Sequence, residues 1–255
     1  MRVAALYDIH GNLPALEATL SAVDAGGFDA IVVGGDVALG PMPRETLELL
    51  SARGPWVRFV RGNCDRDMAA APDGRPQPGG AWEGRLRWAV EQITPDQRAL
   101  LGAIPPTLAL EIDGLGAVLF CHGTPRSDDE IVTRHTPDDR VLEVLTEVRE
   151  RVVVCGHTHV QFDRHIGERR LVNAGSVGLP YEGRPGAYWA ALGPDVELRR
   201  TPYDLERAVQ AMRASGFPDA DEFTRRELLE PRSAAEATEF FERIAEERVR
   251  SQSSI

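Results

Sequence analysis

The feature that most constrains this chain is the repeated placement of a polar or metal-binding side chain directly behind a short apolar run. Arg2 to Tyr7 leads into Asp8 and His10, Ala30 to Val33 into Gly34-Gly35-Asp36, and Trp56 to Val60 into Asn63. Ala117 to Cys121 leads into His122, and Val152 to Cys155 into His157 and His159. Short apolar runs bounded by glycine and polar residues read as buried strands. Between the first three lie helical patterns: Leu13, Leu16, Leu20 and Val23 recur at helical spacing after Pro14, and a second pattern runs through Leu47 and Leu50. The alternation predicts an α/β fold built on a right-handed parallel sheet. Ligands of an open parallel sheet bind beyond the carboxyl ends of its strands, so five loops would bring these side chains to one rim.

The donor types narrow the chemistry. Imidazoles, carboxylates and one amide oxygen, with no thiolate required, suit divalent ions such as Mn, Fe or Zn. Asp8, His10, Asp36, Asn63, His122, His157 and His159 are too many for one tetrahedral ion. They suit two ions sharing a bridge, and Asp36, near the middle, is the carboxylate placed to give an oxygen to each. Metal pairs of this kind clamp the attacking and leaving oxygens of an in-line displacement.

The motifs Asp8-Ile9-His10-Gly11-Asn12, Gly34-Gly35-Asp36, Gly62-Asn63-Cys64-Asp65, His122-Gly123-Thr124-Pro125 and Gly156-His157-Thr158-His159 stand in that order. Together they resemble the calcineurin-like metallophosphoesterases, as does the loop Asn173 to Gly178, and the likeness spans about the first 180 residues. The resemblance implies a four-layer α/β/β/α sandwich of two mixed sheets flanked by helices. It also implies two divalent ions per chain, one held by Asp8, His10, Asp36 and His159 and the other by Asp36, Asn63, His122 and His157. The implied activity is hydrolysis of a small phosphodiester, phosphomonoester or nucleotide-like substrate by attack of a metal-bridging hydroxide. Many relatives carry His after the metal-binding Asn, where it contacts phosphate or protonates the leaving group. This chain has Cys64, read as a small inert substitute. Asn63 and Arg126 are the candidate substrate contacts, with Arg61 and Arg184 also close to motif loops.

The rest of the chain reads as one domain over residues 1–255. A Pro- and Gly-rich stretch near 68–84 predicts an irregular insertion, and Thr94-Pro95-Asp96-Gln97 predicts a capped helix start. Leu108 to Ile112 and Ala117 to Cys121 flank Asp113-Gly114 as a hairpin. A helix opening at Thr136 places Val141, Leu142, Leu145 and Val148 on one face, and Phe162 to Ile166, Arg170 to Asn173 and Ala187 to Leu192 follow as strands. A helical segment near 203–250 carries a capping box, Ser233 to Glu236, and a stripe of Ala237, Phe240, Phe241 and Ile244 that would dock on the body or seat a homo-oligomer. Glu239, Glu242, Glu246 and Glu247 read as its solvated face.

A net charge of -11 argues against a broad basic surface for extended nucleic acid, which leaves a nuclease as the weaker reading. A different class, a catalytically weak metal-stabilised binding or regulatory module, is suggested by Cys64 and the acidic surface. The filled set of ligand positions counts against it. No run reaches the roughly 18 apolar residues of a membrane span, and Met1 to Tyr7 lacks the pattern of a secretory leader, so a cytoplasmic location is expected. Cys121 and Cys155 end apolar strands and read as reduced core thiols, and His135 and His165 as histidines outside the site.

Overall fold

The computed structural model describes residues 1–71 and 80–252, the side chains at 249, 251 and 252 excepted. Chain order runs β1 (Val3–Leu6), α1 (Leu13–Ala25), β2 (Ala30–Val33), α2 (Pro43–Ser51), β3 (Val57–Phe59), α3 (Asn63–Ala70), α4 (Ala81–Gln92), α5 (Pro95–Ala103), β4 (Thr107–Ile112) and β5 (Gly116–Cys121). It continues with α6 (Asp138–Val144), β6 (Val152–Cys155), β7 (Phe162–Ile166), β8 (Arg169–Asn173), β9 (Ala187–Leu192), β10 (Val196–Thr201), α7 (Leu205–Ala214), α8 (Ala220–Thr224) and α9 (Ala234–Gln252).

The apolar runs pair into two sheets, not one. β1, β2 and β3 are parallel, and β9 and β10 extend them antiparallel in the order β10-β9-β1-β2-β3. The second sheet, β4-β5-β6-β8-β7, has a parallel centre and antiparallel edges. Both sheets are mixed: the first strands pair in parallel as expected, and β9 and β10 add antiparallel strands beside β1, giving the two mixed sheets that the resemblance implied. Central strands are apolar on both faces because each face is covered. Val3, Ala5 and Tyr7 face Val118, Phe120 and Val154 between the sheets, whereas Ala4, Leu6, Ile31 and Val33 pack outward on Leu16, Leu20, Leu47 and Leu50. On the other side Val153, Cys155 and Leu171 meet Val141, Leu145 and Val148. The result is the helix, sheet, sheet, helix sandwich.

Local signals set the helix starts. The Asn12 side chain accepts from the Ala15 amide at 3.2 Å, and Thr94 and Gln97 exchange the two bonds of a capping box at 3.2 and 2.9 Å. Several expectations need correction. Residues 72–79 of the expected insertion lie outside the described residues, and its flanks are helical, in α3 and α4. Leu142 is 44% exposed, because the buried face of α6 and the turn after it runs through Val141, Val144, Leu145 and Val148, one position off Leu142. The edge strand β10 was not foreseen, since its polar half-exposed residues show no apolar run. Glu242 is half-buried rather than free on the solvated face: Thr133 and Thr136 both donate their hydroxyls to it. Phe240 and Phe241 pack on the chain's own Arg232, Tyr181 and His157.

Where β1 and β2 end, packing is tight enough to exclude a methyl group. The Tyr7 ring is fully buried, its hydroxyl donates to the Val154 carbonyl of the opposite sheet at 3.0 Å, and a Cβ on Gly34 would lie 2.0 Å from that ring. Gly84 lies within α4 and a Cβ there meets nothing within 4 Å. Gly34→Ala should therefore destabilise the fold by about 1–3 kcal/mol or more. Gly84→Ala should stabilise it by about 0.5–1 kcal/mol, as removing a helix-interior glycine does. Urea unfolding of the two variants checks both signs.

Candidate metal centre

The backbone turns sharply at the strand ends. Asp8, His10, Asp36, His157 and His159 have φ of 53°, 48°, 53°, 67° and 57°, in the left-handed region that non-glycine residues rarely adopt. Among the described residues only Asp219 shares that conformation outside glycine. Such strain persists where surrounding bonds over-determine it. Here the Asp8 and His10 amides donate to the Gly35 and Asp36 carbonyls at 3.1 and 3.0 Å, and the His157 amide donates to Asp8 Oδ2 at 3.0 Å. The turns aim side chains from the carboxyl ends of β1, β2 and β3 in one sheet and β5 and β6 in the other into a common space.

Three imidazoles present the same nitrogen inward. His10, His122 and His159 place Nδ1 on the backbone carbonyls of Leu39, Gly34 and Leu179 at 3.1, 2.8 and 2.7 Å. Donation from Nδ1 to a carbonyl orients the ring and frees Nε2 for ligation. The three Nε2 atoms converge on the carboxylates: His159 is 3.3 Å and His10 3.9 Å from Asp8 Oδ1, and His122 is 3.4 Å and His10 3.8 Å from Asp36 Oδ2. The donor atoms of Asp8, His10 and His159 lie within 4.8 Å of one another, as do those of Asp8, Asp36 and His122. The His157 ring stands 5.3 Å from that of His122, half-buried at the edge.

Three buried donor atoms here have no hydrogen-bond partner among the described residues: Asp8 Oδ1, Asn63 Oδ1 and His122 Nε2. Buried polar atoms are nearly always bonded, so three orphans facing one space call for a further partner. Each is an electron-pair donor when its group is in the ligating state. Bound cations would give these atoms partners, and the donor set fits a metal centre.

Electrostatics agree with that reading. Burial opposes ionisation of Asp36, yet the nearby charges of His122 and His10 outweigh it and hold the carboxyl below its ordinary range. Burial would neutralise His122, but Asp36 and then Asp8 raise it to about 10. His157 is lowered to about 4 by burial and the neighbouring His122. In the protein alone His122 thus carries the cation that the paired carboxylates demand.

Cys64 is not idle filler. Its thiol donates to Asp36 Oδ2 and its amide to Asp36 Oδ1, both at 2.8 Å, and burial with the Asp36 charge raises the thiol well above its usual range. It braces the central carboxylate from behind. Asp65, given no role on sequence grounds, accepts the amides of Asp36, Val37 and Gly62 at 2.9, 3.0 and 2.9 Å. Its position three residues after Gly62, at the start of α3, is the signal that could have found it. Asn173 and Ser176 tie the following loop to the centre through Gly156 and the Asp8 carbonyl, at 2.6 and 2.7 Å.

Other expected residues stand apart. The Arg126 guanidinium is held by Glu130 at 2.6 and 2.8 Å and Glu143 at 3.3 Å, Arg184 is exposed, and His135 and His165 are exposed. Cys121 and Cys155 are buried core thiols without a disulfide.

The chain was compared with known proteins. The model of the calcineurin-like phosphoesterase superfamily domain matches residues 1–192. The phosphodiesterase YfcE of Escherichia coli is 27% identical over 197 residues, covering 74% of this chain and 85% of that protein. A metallophosphoesterase from Sphaerobacter thermophilus superposes with a TM-score of 0.72 at 28% identity, covering 89% of this chain and 97% of the other. A protein from Pyrococcus horikoshii shares the fold with a TM-score of 0.77 at 20% identity, covering 88% and 97%.

Asp65→Ala would strand three buried amides. The expected loss is about 2–4 kcal/mol of stability, since each orphaned donor costs on the order of 1–3 kcal/mol before relaxation. Asp65→Asn should recover part of it through its remaining carbonyl oxygen. Chemical unfolding of both variants measures the difference.

Proposed function

From the premise that this chain belongs to the calcineurin-like phosphoesterase superfamily, we propose that it hydrolyses a small phosphodiester, phosphomonoester or nucleotide-like substrate with two divalent ions. The observation that carries the reading is the trio of unpartnered buried donors, Asp8 Oδ1, Asn63 Oδ1 and His122 Nε2, beside two further inward imidazole nitrogens. Asp8, His10 and His159 would hold one ion, Asn63, His122 and His157 the other, and Asp36 would serve both. When bound, such a pair supplies an activated water at neutral pH and Lewis-acid stabilisation of the phosphoryl oxygens. Mn, Fe and Zn suit the donors.

The chain's own residues would then orient and exclude. The left-handed turns fix the carboxylates before any ion arrives, so little reorganisation accompanies charge development on the phosphoryl group. Cys64 and Asp65 hold Asp36 and its loop still. With no imidazole at position 64 and the thiol already spent on Asp36, proton donation to the leaving group falls to solvent, which favours good leaving groups. Asn63 stands at the start of α3 as the candidate phosphate contact. Arg126 would reach phosphate only by leaving Glu130, which makes it the weaker candidate.

Metal analysis after reconstitution should give two ions per chain, and Asp36→Asn should lower both the stoichiometry and the affinity. A maximum of one ion, unaffected by Asp36→Asn, would overturn the two-ion reading. Hydrolysis of an activated aryl phosphodiester should vanish in chelator, return with Mn, and fall by at least roughly a hundred-fold in His157→Ala.

Metal uptake should also release protons. An imidazole ligates only when neutral, and His122, at about 10, holds a proton at neutral pH that the ion must displace. Affinity should therefore weaken by roughly ten-fold per pH unit for each proton released as pH falls below 10. Calorimetric titration in buffers of different ionisation enthalpy counts that proton.

A further inference from the structure

Helix α9 lies beyond the span matched by the family model, yet it reaches the candidate centre. Its middle is latched by Glu242, which accepts from the hydroxyls of Thr133 and, at 2.8 Å, Thr136. Arg248 donates to the Asp129 carbonyl at 2.6 Å one turn and a half further on. Next to the first anchor, one residue before Glu242, Phe241 is set with its ring centroid 6.2 Å from that of His157 and 6.4 Å from that of Tyr181. Tyr181 in turn stacks on His159 at 4.9 Å and 18°. The histidines at the two ends of the centre are thus each faced by an aromatic ring.

The three rings differ in what covers them. The Arg232 guanidinium lies over Tyr181 at 5.9 Å and over Phe240 at 5.0 Å, and Arg243 lies over Phe240 at 5.7 Å. Among the described residues no guanidinium covers Phe241, whose half-buried ring meets Phe240 edge-on at 5.5 Å and stands beside His157 at the rim of a charged site. The part of such a ring left open beside polar groups gains most from a partner that is itself flat, apolar on its faces and polar at its edges. A phosphate ester bound at the metal site must run its organic part out over this rim. A nucleobase is a planar group of that character commonly borne by small phosphate esters.

We propose that Phe241 is a specificity-determining residue, stacking on a nucleobase while the substrate phosphate occupies the metal site, so that the preferred substrates are nucleoside phosphates and their small diesters. The inference rests on the phosphoesterase reading above and narrows it.

The test is calorimetric binding of adenosine 5′-monophosphate, ribose 5-phosphate and orthophosphate to the manganese-loaded protein. The first two share phosphate and sugar, so their affinity ratio isolates the base, and any change at the metal site cancels within each variant. Base stacking on an aromatic side chain should make the ratio roughly ten-fold or more in the wild type. Phe241→Leu keeps apolar volume without the flat face and should bring the ratio towards one, whereas Phe241→Trp should keep or raise it. A wild-type ratio of one, a ratio unchanged in Phe241→Leu, or one that rises in Phe241→Leu because the ring merely obstructs, would each overturn the proposal. Failure of the underlying reading looks different: orthophosphate would not bind, and the activated diester would not be hydrolysed.

Discussion

Two carboxylates, Asp8 and Asp36, are buried side by side where the two sheets meet, and much of the surrounding structure answers to that juxtaposition. Like charges in a water-poor space repel and lose hydration, so they stay ionised only where positive charge and hydrogen-bond donors are held close. His122 and His159, both raised above their ordinary range despite burial, provide the charge. Cys64 and the backbone provide the donors, with both Asp36 oxygens bonded to Cys64 and Asp8 Oδ2 bonded to the His157 amide. Left-handed backbone at five of these positions is the conformational cost of aiming so many polar groups at one point from strand ends.

Much of this arrangement was legible in the amino-acid order, because the site uses a simple local grammar. A strand buried on both faces must be uniformly apolar, so the residue at which polarity resumes marks its end, and Asp8, Asp36, His122 and His157 all stand at such ends. Helix α5 was equally readable, since Thr94 and Gln97 form a capping box that needs no tertiary context. Which strands join which sheet was not readable from the same runs. Val3 to Leu6 and Val152 to Cys155 look alike as apolar text, and only the resemblance to a known family separated them into two sheets.

What escaped the reading depends on contacts distant along the chain. Glu242 resembles its solvated neighbours on α9 until Thr133 and Thr136 are folded beneath it. Leu142 is apolar text beside Val141, yet the packed face runs through Val141, Val144, Leu145 and Val148 and leaves it outward. Strand β10 is recognised as a strand through β9, to which it pairs from Val196 to Thr201. Cys64 looked like a substitution that merely fills space, because its neighbour in the fold, Asp36, lies 28 positions away.

The contribution of both sheets to one cluster has a consequence for how the chain reaches its native state. Asp8 and His157 are 149 positions apart and bond directly, so closing the centre requires a contact of very long sequence separation. Loop-closure entropy delays such contacts, and chains synthesised from the amino end acquire them only after the later partner has emerged. The first sheet's β1, β2 and β3 can pair while His157 is still on the ribosome, but they then hold two carboxylates without their full complement of compensating groups. Capture of an ion would thereby be coupled to completion of the second sheet, and the cluster would serve as a late fastener that rewards the assembled sandwich over its halves.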